Sequence, residues 1–187
     1  MRVRTAALLV LFAAAAPVAA QDRDEYVLLA AARTGTMEDE VNDVADDGYR
    51  VVAASRSEDS EVVVVMRRAR GDYRYKLIAT IRTGTLEKEI NDAAEQGYRI
   101  VPGAVTTKRL AGAGMRAMRN DNPGEGELLV LMEKGPGRPA NSRYQVLATN
   151  RTGTLQKEIS QASERGYDLV ALVSRREHLA IMERAGN

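Results

Sequence analysis

A stretch of eighteen residues occurs three times in this chain, and that recurrence limits the architecture more than any other feature. Arg33-Thr34-Gly35-Thr36 returns as Arg82-Thr83-Gly84-Thr85 and as Arg151-Thr152-Gly153-Thr154. Each copy is followed at the same distance by a Gly-Tyr pair: Gly48-Tyr49, Gly97-Tyr98, Gly166-Tyr167. From Arg33 to Arg50 the first copy agrees with the second at 12 of 18 positions, and the third agrees with the second equally well. The fold must therefore be one supersecondary unit used three times.

Each unit opens with a tyrosine and a β-prone run: Tyr26-Val27-Leu28-Leu29, Tyr75-Lys76-Leu77-Ile78, Tyr144-Gln145-Val146-Leu147. The Arg-Thr-Gly-Thr segment then reads as a turn into a helix, with the second threonine (Thr36, Thr85, Thr154) as N-cap. Glu38 and Glu87 fall in the expected first turn, where the macrodipole favours acids. Leu86, Ile90, Ala93 and Ala94 make one apolar stripe at helical spacing. Gly48, Gly97 and Gly166 should end the helices as left-handed residues. Two strands follow in each copy: Tyr49 to Ala53 with Glu61 to Met66, Tyr98 to Val101 with Glu127 to Met132, and Tyr167 to Leu172 with His178 to Met182.

The last strand of each unit is the most uniformly apolar, which marks a central strand covered on both faces. The expected fold is α+β: three tandem β-α-β-β repeats, each a three-stranded sheet of order 1-3-2 with one helix on one face. Pro102 at the end of its strand suits an edge. One helix covers one face only. The other, expected to carry Ile78 and alternate members of the Val62–Val65 and Leu128–Leu131 runs, needs a cover, so the repeats should pack through their sheets or the chain should self-associate. Repeat 1 spans 23–70, repeat 2 spans 74–134 with an inserted loop at 103–126, and repeat 3 spans 143–187. A hairpin loop of that length is mobile or binds a partner.

Residues 1–20 read as a signal peptide. Arg2 and Arg4 precede an uncharged run from Thr5, and Val18-Ala19-Ala20 offers small residues at −3 and −1 for cleavage. Thr5 to Ala20 contains Pro17 and falls short of the roughly 20 apolar residues that span a bilayer. No cysteine is present, which removes disulfides, thiolate chemistry and a lipid-bearing cysteine. Losing Arg2 and Arg4 from 27 basic residues leaves 25 against 26 acidic ones, a balance without the basic face that nucleic acid requires. The expectation is a periplasmic or secreted protein with no stable membrane anchor.

A short helix ending in Gly plus an aromatic residue, followed by a hydrophobic strand and an apolar return strand, resembles a small bacterial module. Domain-of-unknown-function proteins of the β-α-β-β type carry a repeat reading helix, Gly-Trp or Gly-Tyr, strand, strand. The resemblance runs from about Tyr26 to Arg184 and rests on the three Gly-Tyr pairs and the closing strands at Met66, Met132 and Met182. It implies the fold and no activity.

Nothing in the sequence assembles an active site, so no enzyme and no cofactor is expected. The single histidine, His178, has no cysteine or second histidine to join it. Nucleophile-elbow, dinucleotide and P-loop patterns are absent. Asp43, Asp46 and Asp47 could hold a cation, but Gln161 and Glu164 replace the first two in the third copy, as on a solvated helix face. Arg70-Gly71-Asp72 is what an inter-repeat turn needs. Six of the seven tyrosines occupy two fixed repeat positions, which suits packing, although an exposed set could stack on sugar rings.

The remaining candidate is the turn itself: Arg33, Thr34, Gly35; Arg82, Thr83, Gly84; Arg151, Thr152, Gly153. An arginine beside a helix N-terminus could cradle an anionic or glycan ligand. Structurally, the glycine would make the turn, the threonine would cap, and the arginine would pair with Glu40, Glu89 or Glu158. The structural roles account for the residue types. The function expected is thus a non-catalytic envelope scaffold or interaction module. Its partner would be another envelope protein or a further copy, held at the open sheet face.

Overall fold

A computed structural model of the chain describes residues 24–31, 33–56, 61–109, 126–137 and 141–186. The segment assigned to the signal peptide lies outside them. Repeat 1 consists of β1 (Tyr26–Ala31), α1 (Thr34–Asp46), β2 (Tyr49–Arg56) and β3 (Val62–Arg68). Repeat 2 is β4 (Arg74–Thr80), α2 (Thr83–Glu95), β5 (Arg99–Arg109) and β6 (Gly126–Lys134). Repeat 3 is β7 (Arg143–Thr149), α3 (Thr152–Glu164), β8 (Asp168–Ser174) and β9 (His178–Arg184). Each forms an antiparallel sheet with its last strand central: β1-β3-β2, β4-β6-β5 and β7-β9-β8.

The helices end as the glycines require. Gly48, Gly97 and Gly166 have φ of 89°, 89° and 82°, and the amide after the glycine turns back onto the helix at Tyr98 and Tyr167. The helix starts differ from expectation. Helix begins at the first threonine of the motif, so Arg33, Arg82 and Arg151 hold the N-cap position in extended conformation, without a side-chain cap bond. Thr36, Thr85 and Thr154 therefore lie inside the first turn and cap nothing, and Glu38 and Glu87 lie beyond it. Gly35, Gly84 and Gly153 sit within helix, none at positive φ, with open space where a Cβ would go.

Each helix lays its apolar stripe on its own sheet. In repeat 2, Leu86, Ile90, Ala93 and Ala94 pack with Ile78, Leu128, Val130 and Met132. Ile78 is thus on the helix side; the bare side carries Tyr75 and Leu77, in register with Glu133 and Leu131. That side is covered by the preceding repeat. Tyr75, Leu129 and Leu131 share a core with Met37, Val41, Ala45 and Val51. The arrangement recurs one repeat later, where Tyr144, Leu179 and Ile181 join the core of α2. Leu147, Leu155, Ala162, Ala180 and Met182 close the stack under α3.

Burial along the central strands records this order. Every residue from Leu128 to Met132 and from Leu179 to Met182 is buried, as a strand covered on both faces must be. In β3, Val62, Val64 and Met66 are buried while Val63 and Val65 remain partly exposed. Among the described residues no repeat lies against the second face of repeat 1.

The strand β5 departs from expectation. It continues through Pro102 and Gly103 to Arg109, and β6 starts at Gly126, so both ends of the segment assigned to a loop are strand. Residues 110–125 lie outside the described ones. Pairing with β6 stops at Ile100 and resumes at Val105, a bulged stretch in which Val101 to Ala104, Pro102 among them, have no register partner. The bulge presses Gly103 onto repeat 1, where a Cβ would stand 2.8 Å from the Val52 carbonyl oxygen.

Candidate functional site

The polar residues that recur in this chain converge on the junctions between repeats. A strand at a sheet edge exposes unpaired amides and carbonyls, and β4 presents such an edge to α1. Asn42 satisfies it from the helix: its side chain accepts from the Tyr75 amide at 2.9 Å and donates to the Tyr75 carbonyl at 3.0 Å. One helical turn back, Glu38 accepts from the Leu77 amide at 2.7 Å. The next junction repeats the pattern. Asn91 bonds the amide and carbonyl of Tyr144 at 2.9 and 3.0 Å, and Glu87 accepts from the Val146 amide at 2.9 Å. Glu-x3-Asn at i and i+4 puts both side chains on one helix face.

A second group of bonds locks the sheets together. Tyr75 is 2% exposed; its hydroxyl donates to Glu133 at 2.9 Å and accepts from the Val51 amide at 2.9 Å. Arg50 meets the buried Glu133 through two nitrogens at 2.7 and 2.9 Å. Downstream, Tyr144 bridges Glu183 and the Ile100 amide at 3.0 and 3.1 Å, and Arg99 holds Glu183 at 2.6 Å. Burial pushes the Tyr144 phenol up to about 12 and the Tyr75 phenol further, because a phenolate there would be desolvated and would face a carboxylate.

The Arg-Thr-Gly-Thr residues divide between the junctions and the surface. Thr34 donates to Glu127 at 2.8 Å and Thr83 to Glu177 at 2.6 Å, each reaching the next repeat. Thr152 is exposed. Arg33, Arg82 and Arg151 are exposed, and none pairs with Glu40, Glu89 or Glu158; Glu40 accepts instead from Thr36. The three arginines stand at three separate helix starts. A shallow groove beside Arg82 takes in Thr83, Arg175, Arg176 and Glu177, and neither Arg33 nor Arg151 reaches it.

The other candidates resolve locally. Asp46 pairs with Arg74 across the first junction, and the described residues hold no group of acids and histidines arranged for a metal. His178 Nδ1 lies 2.9 Å from Ser174 Oγ across the β8–β9 hairpin. Tyr49, Tyr98 and Tyr167 each have a cation of their own repeat over the ring: Arg68 at 5.5 Å, Lys134 at 6.0 Å and Arg184 at 5.0 Å. These cations occupy equivalent positions, so that ring face is already engaged.

Read alone, the sequence does not single out the junction residues as a set. The signal was there in the pattern of change. Glu38-x3-Asn42 and Glu87-x3-Asn91 become Gln156-x3-Ser160 in repeat 3. Arg50 and Arg99 become Asp168, while Glu133 and Glu183 have Arg67 as their counterpart in the first repeat.

Among the described residues, the outer face of the first sheet is uncovered. Tyr26, the counterpart of Tyr75 and Tyr144, is 53% exposed where they are 2% and 3%. Leu28 beside it is more exposed still, and on β3 the partly exposed Val65 and Val63 stand opposite Leu28 and Ala30. Compared with known proteins, the chain matches no family profile, no curated protein and no solved structure. No helix among the described residues is long and apolar enough to cross a membrane.

Proposed function

We propose that this protein is a non-catalytic, exported scaffold of the cell envelope that engages a protein partner through the outer face of its first sheet. One observation carries the proposal: the face that is buried in repeats 2 and 3 by a preceding repeat is left bare in repeat 1, with Tyr26 and Leu28 exposed upon it. An apolar sheet face of this kind is an interaction surface or an aggregation hazard. Export rests on the basic, apolar and small-residue order of residues 1–20. A photo-crosslinking residue placed at position 28 in cells tests the surface. A discrete adduct from position 28, with none from the exposed helix position 95, is the expected result. Equal labelling at both positions, or none at 28, contradicts it.

The second reading, an anionic or glycan ligand at the Arg-Thr-Gly-Thr turns, draws support only from the groove beside Arg82. Glu177 shares that groove, and its charge opposes an incoming anion. Anion-dependent thermal stabilisation that disappears in Arg82→Ala would favour this reading over the scaffold.

A further inference from the structure

We infer that the occupant of the open face is the last repeat of a second copy of this chain, bound head to tail in the geometry of the internal junctions. The inference rests on the interaction face proposed above and adds the identity of its partner. Repeat 3 carries the complementary end. Val51 and Ile100, which receive the tyrosine hydroxyl of the following repeat, are 4% and 2% exposed. Their counterpart Leu169 is 48% exposed, with Leu172 exposed beside it. An unburied tyrosine end and an unburied leucine end thus face outward at opposite termini of one stack.

Charge selects the pairing. Inside the chain an arginine of one repeat grips a glutamate of the next, Arg50 to Glu133 and Arg99 to Glu183. At the two ends both members are exchanged in sign: Asp168 stands where the arginine would be, and Arg67 where the glutamate would be. An end-to-end contact keeps an opposite-charge pair. A face-to-face contact between two first sheets would bring together two arginines at Arg67. The helix positions agree in part. Gln156 retains the acceptor oxygen that Glu38 and Glu87 offer to a strand amide, so it could accept from the Leu28 amide. Ser160 is too short to repeat the double bond of Asn42. The contact between chains is therefore a weaker version of the internal junction, reversible where the internal one is permanent. A heterologous contact of this kind closes into a ring or continues as a filament.

Sedimentation of the purified chain over a range of concentration tests this. Wild type should grow in mass with concentration. Leu28→Glu, which blocks the first end, and Leu169→Glu, which blocks the last, should each remain monomeric alone and form a 1:1 dimer when mixed. Asp168→Arg should weaken association by at least about tenfold, the scale of a like-charge contact, and adding Arg67→Glu to that chain should restore it. All four positions are exposed, and an unchanged melting transition shows that the variants fold. A wild type that stays monomeric overturns the inference. So does a Leu169→Glu chain that still dimerises, since the contact would then join two first sheets, or a charge exchange that restores nothing. An adduct at position 28 with a monomeric wild type leaves the interaction face standing with another partner. Absence of both removes face and inference together.

Discussion

Gly97 closes α2 at φ 89°, a conformation in which a Cβ meets the following carbonyl. Gly97→Ala should cost about 1 kcal/mol in denaturant unfolding, because space is not the obstacle: the nearest atoms are the far end of Lys134, in ordinary contact. Gly84 is the opposite case. It lies in the first turn of the same helix with nothing near its missing side chain, so Gly84→Ala should stabilise by roughly 0.5–1 kcal/mol. A drop in melting temperature for Gly84→Ala would show that the position demands glycine for some other reason. Both glycines recur three times, and only the first was legible from sequence. A glycine just before a tyrosine and after an amphipathic stretch has one good explanation, whereas the one between two threonines fits a turn or a helix start equally. Tyr144 gives a pH-dependent outcome. Its phenol is held neutral in the fold up to about pH 12, while an unfolded tyrosine ionises near 10. The stabilisation is fully present below pH 10 and is lost as pH rises from there to about 12, at about 1.4 kcal/mol per pH unit. Tyr144→Phe should flatten that alkaline decline relative to wild type; identical slopes would contradict the buried hydroxyl.

Sheet order was readable at the level of elements because each unit has one strand with no polar alternation, and only the central position buries both faces of a strand. Junction chemistry was not, because Glu38, Asn42 and Arg50 look like ordinary solvated helix and strand residues until the next repeat is brought against them. The two classes of ion pair at the first junction should behave differently. Arg50 caps Glu133, whose side chain is 1% exposed, so Arg50→Ala takes the two guanidinium bonds away from a buried carboxylate. The cost should be about 2–3 kcal/mol. Arg74 meets Asp46 in the open, both more than half exposed, and Arg74→Ala should change stability by less than about 1 kcal/mol. Equal losses in chemical denaturation would mean that the junction is not the buried element described.

For the molecule as a whole, the three units form one directional stack in which each helix serves its own sheet with apolar residues, and α1 and α2 serve the next sheet with polar ones. Such arrays gain stability from nearest-neighbour interfaces, so the internal junctions should unfold with the core and the outer strand of repeat 1 should open first. Repetition makes this continuity visible in the sequence, but which face of each sheet meets its neighbour depends on a one-residue register: the sequence points to Ile78 on the bare side, where the structure has Leu77. Amide hydrogen exchange on dilute protein tests the stack most directly, through three equivalent amides on β1, β4 and β7. Leu77 and Val146, bonded to Glu38 and Glu87 of the preceding helix, should exchange slowly and near the global rate. Leu28, which no helix precedes among the described residues, should exchange orders of magnitude faster. Equal protection at all three in the dilute monomer, or fast exchange at Leu77 and Val146, would contradict the stack.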